Sequence, residues 1–430
     1  MKRIILAFIV LLVAATSAVY GSQDFVGVLN DAPYKIRVPD EDKWNGVLLL
    51  YAHYYYTDPA SYAQAEAAPG GAPMEEFLLA QGYALAGSSF RGSGWQVKEG
   101  TFDLIALSGL FNDLVGKPKK RILMGFSMGS LIALKSAEEV PLYDGVIAMS
   151  SLAGTISGVF ERESAFAFAY STVFGWPPDW GTWYDVRDDL SFSNDVLPVL
   201  GYQLSLLQQG DAETYAKFEF IRRLLRLPTE GFYAADPPQF PAVIFLMLGT
   251  TELRAEIERR AKGFIYGNAD HVYSLSLTED EKMLFFDQGV DVDALLAVMN
   301  AGTTISAAKP QRHYGEKYFD PTGDLRIPVL SVHSIKDHTY PAHFETQLLN
   351  KVQSAGREDR LLQVYTDGFG HVNFTPEQFL AAIRAMESWL NSGTKPDPND
   401  TNVFPKFFPN GSKGFVVPDP ELLVWPIGKK

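Results

Sequence analysis

The pentapeptide Gly125-Phe126-Ser127-Met128-Gly129 follows the apolar run Arg121-Ile122-Leu123-Met124 with no linker between them. A strand must therefore give way to a helix within a few residues, with a serine at the apex. Glycine on either side leaves room for so strained a turn, and the serine hydroxyl can then stand clear of the sheet. This is the geometry of a nucleophile elbow.

The segments around it fit the same architecture. Residues 46–53, 83–90 and 145–151 read as near-continuous apolar strands, and 74–81, 101–114 and 130–139 as helices between them. Residues 25–39 read as an edge pair of strands. Alternating strands and helices of this kind predict an α/β fold, a mostly parallel sheet covered by helices on both faces. Reactive side chains then belong at the carboxyl ends of the strands.

Two later strands end in loops that carry such side chains. Residues 327–333 run into Ser334-Ile335-Lys336-Asp337-His338-Thr339-Tyr340-Pro341, and 361–365 lead to Gly368-Phe369-Gly370-His371-Val372-Asn373-Phe374. Serine, acid and histidine in this chain order, with the elbow, resemble the α/β-hydrolase superfamily. Its acid loop often reads glycine-x-x-aspartate-x-x-valine-proline, and here Ser334 and Tyr340 replace the glycine and valine. The resemblance covers the core strands and helices but not the middle third of the chain. It implies a catalytic set of Ser127, Asp337 and His371. In such a set the histidine takes the serine proton during attack on a carbonyl and returns it to the leaving group, and the acid orients the imidazole and stabilises its charged form.

The negative charge that develops on the carbonyl oxygen needs fixed donors. The N–H of Met128, at the start of the helix behind the elbow, suits one. Many superfamily members place histidine-glycine after the strand at 46–53, whereas this chain has His53-Tyr54-Tyr55-Tyr56. By position Tyr55 is the second donor through its backbone N–H, with Tyr54 next in line. A tyrosine hydroxyl could donate instead, or the tyrosines could simply be aromatic walls of a cleft. Arg91-Gly92-Ser93-Gly94 resembles an arginine-glycine-x-glycine turn of the superfamily, with Arg91 read as a structural ion-pair residue.

With 430 residues and 47% hydrophobic content, the chain can bury a large core. A net charge of −14 offers no basic surface for nucleic acid. The N-terminus, Met1-Lys2-Arg3 followed by an apolar run to Ala15 and by Thr16-Ser17-Ala18 and Gly21, reads as a signal peptide over 1–21. A secreted or periplasmic protein with no retained membrane span is expected, the apolar run being shorter than the ~20 residues a span requires. There is no cysteine, so no disulfide or thiolate metal site. The spacing of His333, Asp337, His338 and His343 matches no metal-ligand pattern, and neither a metal nor a cofactor is expected.

The expected organisation is a hydrolase core over 22–151 and 324–395, a cap insertion over 152–323, and a tail over 396–430 that packs on the body through Phe404, Phe407, Phe408 and Trp425. Tyr54, Phe126 and Trp176 are candidates to line the substrate cleft, Trp176 coming from an aromatic-rich stretch of the insertion. Together these point to a secreted serine hydrolase acting on small or polymeric carboxylic esters of apolar or aromatic compounds. A serine peptidase with the same triad is the alternative, and a non-catalytic binding protein on a hydrolase fold a remote one.

Overall fold

The computed structural model describes residues 22–40, 42–56, 65–152, 156–229 and 241–429. The N-terminal segment read as a signal peptide lies outside the described residues. The strands are β1 (Ser22–Leu29), β2 (Ala32–Pro39), β3 (Val47–Ala52), β4 (Ala84–Ser88), β5 (Lys120–Phe126), β6 (Gly145–Met149), β7 (His271–Val272), β8 (Val329–Ser334), β9 (Leu361–Thr366), β10 (Phe415–Val416) and β11 (Gly428–Lys429).

Nine of them form one sheet in the order β1-β2-β4-β3-β5-β6-β8-β9-β10. The six strands from β4 to β9 in that order are all parallel, while β1, β2 and β10 add antiparallel edges. The central strands are buried along their whole length, as in Val47-Leu48-Leu49-Leu50-Tyr51-Ala52. Such runs tolerate burial on both faces only when helices cover both. One face carries α2 (Val97–Leu114) and α3 (Met128–Glu139), packed through Leu104, Leu107, Phe111 and Leu131. The other carries α1 (Ala72–Ala80) and a C-terminal helix at Pro376–Ser392, packed through Leu78, Phe379, Ile383 and Met386. This arrangement, with a strand-to-helix elbow at its centre, is the α/β-hydrolase fold.

Between β6 and β8 lies a mainly helical insertion: α4 (Ile156–Phe174), α5 (Leu197–Gln208), α6 (Ala212–Leu224), α7 (Pro241–Leu248), α8 (Arg254–Ala261), α9 (Glu279–Asp287), α10 (Val292–Ala301) and α11 (Lys309–Tyr318). A π-helical turn, Gly249–Leu253, joins α7 to α8. The insertion has its own core, in which Phe166, Tyr170, Trp180, Phe218 and Leu246 are buried and Phe168 stacks on Trp183 with ring centroids 4.3 Å apart. On α6, Arg222 and Arg223 both bond Glu219, and Arg223 also reaches Glu281.

After β8 come α12 (His343–Ser354) and, beyond β9, α13 (Pro376–Ser392). A capping box between Thr375 and Gln378 starts α13 and left-handed Gly393 stops it. The tail then touches both halves of the molecule: β10 extends the sheet beside β9, and β11 pairs with β7 of the insertion. Phe404 and Phe415 are buried and Trp425 packs edge-on to His343 and Phe344. Phe407 does not anchor the tail; it is 67% exposed.

Candidate active site

Ser127 sits between β5 and α3 with φ 51° and ψ −118°, a conformation that costs a non-glycine residue about 1–3 kcal/mol. Close packing holds it there. A Cβ on Gly125 would lie 2.1 Å from the Gly129 carbonyl oxygen, and one on Gly129 would lie 2.0 Å from that of Ala52. The start of α3 is thus pressed against the end of β3, which no side chain would permit. The Ser127 N–H donates to the Met149 carbonyl at 3.2 Å, tying the apex to β6.

His371 lies in the loop after β9. Its neighbour Val372 has φ 58°, a rare conformation for a β-branched residue. The Val372 N–H donates to Ser150 Oγ at 2.9 Å, and Ser150, at the end of β6, also has positive φ. Three strained residues therefore surround the site, and two of them bond each other.

The His371 Nδ1 lies 2.8 Å from Asp337 Oδ2. A carboxylate only accepts, so Nδ1 carries a proton, and in the neutral ring Nε2 keeps a lone pair. That Nε2 is buried and has no hydrogen-bond partner among the described residues. Asp337 is wholly buried in the loop after β8, and its Oδ1 accepts from the N–H groups of Thr339 at 2.9 Å and Tyr340 at 3.0 Å. Burial alone would push this carboxyl up, but the His371 and His333 rings facing it outweigh burial and hold it below its ordinary value.

Ser127 and His371 line one cavity of about 820 Å³. Its sheet side is made by Tyr54, Tyr55, Tyr56, Met74, Trp95, Tyr340, Phe374 and Phe379, and its opposite side by Phe245, Leu248 and Leu253 of the insertion. No aspartate, glutamate, lysine or arginine is among its described lining residues. A second cleft, lined also by His338, Phe369 and Asn373, shares Phe245, Leu248, His371 and Val372 with the first.

The other sequence candidates fall differently. Met128 begins α3, so its N–H is one that the helix itself cannot satisfy. Tyr54 and Tyr55 both line the cavity. The Tyr55 hydroxyl donates to Glu256 Oε2 of α8, so it is committed there. His53, stacked on Phe90 at 4.0 Å, is driven down to about 4 by burial and stays neutral. Arg91 bonds Asp103 at 2.9 Å.

Phe126 and Trp176 do not reach the cavity. Strand alternation sends Phe126 under the floor, where it stacks on Phe379 at 5.2 Å and is fully buried. Trp176 packs in the insertion's own core against Trp180, beside a small pocket with Phe174 and Val199. Their place is taken by Phe245 and Leu248, from an apolar run with no motif to distinguish it from ordinary core. Glu256 was equally hidden: besides Tyr55 it accepts from the Trp95 N–H at 3.0 Å and from Arg260 Nε at 2.8 Å, and the Trp95 indole donates to the Leu253 carbonyl at 3.0 Å.

No protein-family model matches the chain. An o-phthalyl amidase from Xanthobacter agilis is 26% identical over 127 residues, which is 28% of this chain and 27% of that protein. The chain thus matches little more than a quarter of that relative's length. Among solved structures, a Pyrococcus furiosus esterase superposes with TM-score 0.41 at 14% identity, over 86% of this chain and 91% of that one. An acylaminoacyl peptidase from Pyrococcus horikoshii gives 0.40 at 9% identity, over 89% and 44%. A rice cell wall degrading esterase, LipA, from Xanthomonas oryzae gives 0.36 at 15% identity, over 86% and 87%. What the site can do is decided by its own atoms.

Proposed function

We propose that this protein is a serine hydrolase that cleaves carboxylic esters of apolar or aromatic compounds through an acyl-enzyme. Ser127 is the nucleophile, His371 the general base and then acid, and Asp337 the group that orients His371. One observation carries this reading: the 2.8 Å bond to Asp337 leaves the His371 Nε2 buried and, among the described residues, unpartnered in the cavity that Ser127 lines. Ser127 Oγ passes its proton to Nε2 as it attacks the carbonyl carbon. The oxygen that gains charge is held by the backbone N–H groups of Met128 and Tyr55. The imidazolium, stabilised by Asp337, protonates the departing alkoxide, and a water activated by the same nitrogen releases the acid.

The substrate class follows from the walls. Aromatic and aliphatic side chains surround about 820 Å³ with no charged side chain among the described lining, which suits a bulky neutral ester and gives a peptide terminus no ionic partner. An aromatic amide is a second substrate of the same shape, and the Xanthobacter agilis relative is named an amidase. We further read residues 152–323 as a cap over the site and residues 1–21 as an export signal. No described helix is long and apolar enough to cross a membrane.

The test is hydrolysis of short-, medium- and long-chain p-nitrophenyl esters beside an aryl amide and an aminoacyl anilide, with Ser127→Ala as control. Ester turnover that disappears in the variant supports the reading. Anilide cleavage without ester turnover moves the assignment to peptidase, and silence on all substrates leaves a binding protein.

A further inference from the structure

Behind the pair formed by His371 and Asp337 lies a second histidine and carboxylate that the proposed chemistry does not use. His333, near the end of β8, is wholly buried. Its Nε2 lies 2.7 Å from the Tyr340 carbonyl oxygen and 3.9 Å from Asp337 Oδ2. Its Nδ1 lies 3.4 Å from Glu345 Oε1. Glu345, on α12, is also wholly buried. It accepts from Ser331 Oγ at 2.9 Å on Oε1 and from Gln363 Nε2 at 2.7 Å on Oε2.

Hydrogen bonds accepted at both oxygens favour the ionised carboxylate. Both ring nitrogens of His333 therefore face oxygens that can only accept. A neutral imidazole has one N–H to offer, and the Tyr340 carbonyl at 2.7 Å claims it. The other nitrogen would then set its lone pair against a buried carboxylate. A doubly protonated ring removes that conflict and leaves Glu345 its accepted bonds.

We propose that Glu345 and the Tyr340 carbonyl hold His333 as an imidazolium, and that this charge beside Asp337 makes His333 a positioning residue for the triad. The proposal rests on the triad reading. Two buried carboxylates, Asp337 and Glu345, would otherwise share one enclosed space without a cation, at large desolvation cost. With His333 charged, the cluster carries one net negative charge at rest and none once His371 takes the serine proton.

The other groups nearby do not substitute for it. Burial drives His343 well below its ordinary value, so it is neutral. Burial likewise keeps the Tyr340 and Tyr365 hydroxyls protonated. Arg162 is paired with Glu163 and sits over the Tyr340 and Phe344 rings at 5.5 and 5.2 Å. For His333 itself burial opposes the charge, but Glu345, then Asp337 and the Tyr340 carbonyl, outweigh it and the ring titrates above its ordinary value.

The experiment combines ring-nitrogen NMR of the native protein with pH profiles of kcat/KM for His333→Gln and Glu345→Gln, using a p-nitrophenyl ester that the native protein cleaves. One histidine should show both nitrogens protonated at pH 8, and that signal should vanish in both variants. Removing a cation near His371 makes the imidazole easier to protonate, so the acid limb should move up by about half a unit to one unit in His333→Gln, and by less in Glu345→Gln, where a more distant anion is lost with the cation. An unmoved limb in both variants, or no doubly protonated ring at pH 8, overturns the proposal. Should a variant fail to fold, the native spectrum decides alone. Asp337→Asn separates the two readings: native-like turnover in that variant removes the triad itself, whereas lost turnover with an unmoved limb in His333→Gln removes only this proposal.

Discussion

On the sheet side of the cavity, each member of the proposed triad is fixed by close contacts. Ser127 is strained between two glycines whose neighbours come within about 2 Å of a hypothetical Cβ, Val372 is locked by Ser150, and Asp337 is held by two N–H groups and two rings. On the insertion side, Phe245, Leu248 and Leu253 meet the cavity through apolar surface, and one carboxylate, Glu256, ties them to the sheet side. The contrast matches the two tasks of a hydrolase. Charge that develops on one oxygen is stabilised only by donors already in place, while substrate bulk is accommodated by side chains that repack at small cost.

The sharpest way to break the comparison is on the sheet side. Ser127→Ala should lower kcat/KM for the best ester by at least about 1,000-fold with little change in unfolding temperature. Asp337→Asn should follow at about 100- to 10,000-fold, because the amide reverses the His371 tautomer. Gly129→Ala should be worse for the fold than for any single step of chemistry. Its Cβ would meet the Ala52 carbonyl oxygen at 2.0 Å, and chemical denaturation should register a loss above about 3 kcal/mol. Native-like stability in that variant would mean the elbow is looser than described.

Glu256 is where the two sides join, and its replacement tests whether they are coupled. Glu256→Ala frees the Tyr55 hydroxyl and the Trp95 N–H together. If Tyr55 supplies an oxyanion donor, kcat should fall about 10- to 100-fold with a smaller change in KM. Glu256→Gln, which can still accept from the tyrosine, should recover most of it. A change confined to KM would make Glu256 a mere tether of the insertion.

These expectations rest on parts of the molecule that were unequally legible in the sequence. The elbow and the loops of Asp337 and His371 could be read because each is a local signature: an apolar strand, a glycine-rich break, a reactive side chain. Phe126 misled because adjacency to Ser127 in sequence means the opposite face in a strand. Trp176 misled because, in a helical insertion dense with aromatics, packing alone chooses which rings face the site. The contact between Tyr55 and Glu256 joins residues 201 positions apart, and the pairing of His333 with Glu345 depends on how α12 lies against β8; no spacing rule encodes either.

The smallest effect should come from the roof. Phe245 has ring centroids 5.8 Å from Tyr340 and 6.4 Å from His371 and borders both the large cavity and the second cleft. It bonds to no reacting atom, so its contribution is apolar area offered to the substrate. Truncation to alanine removes about 1–1.5 kcal/mol of such contact for an aromatic acyl group, or roughly tenfold in affinity. Phe245→Ala should therefore raise KM about three- to tenfold for aromatic esters and hardly at all for acetate esters, with kcat nearly constant. The asymmetry is the informative part. If kcat fell with every ester alike, Phe245 would be shaping the position of His371, and the roof would belong to the rigid half of the site after all.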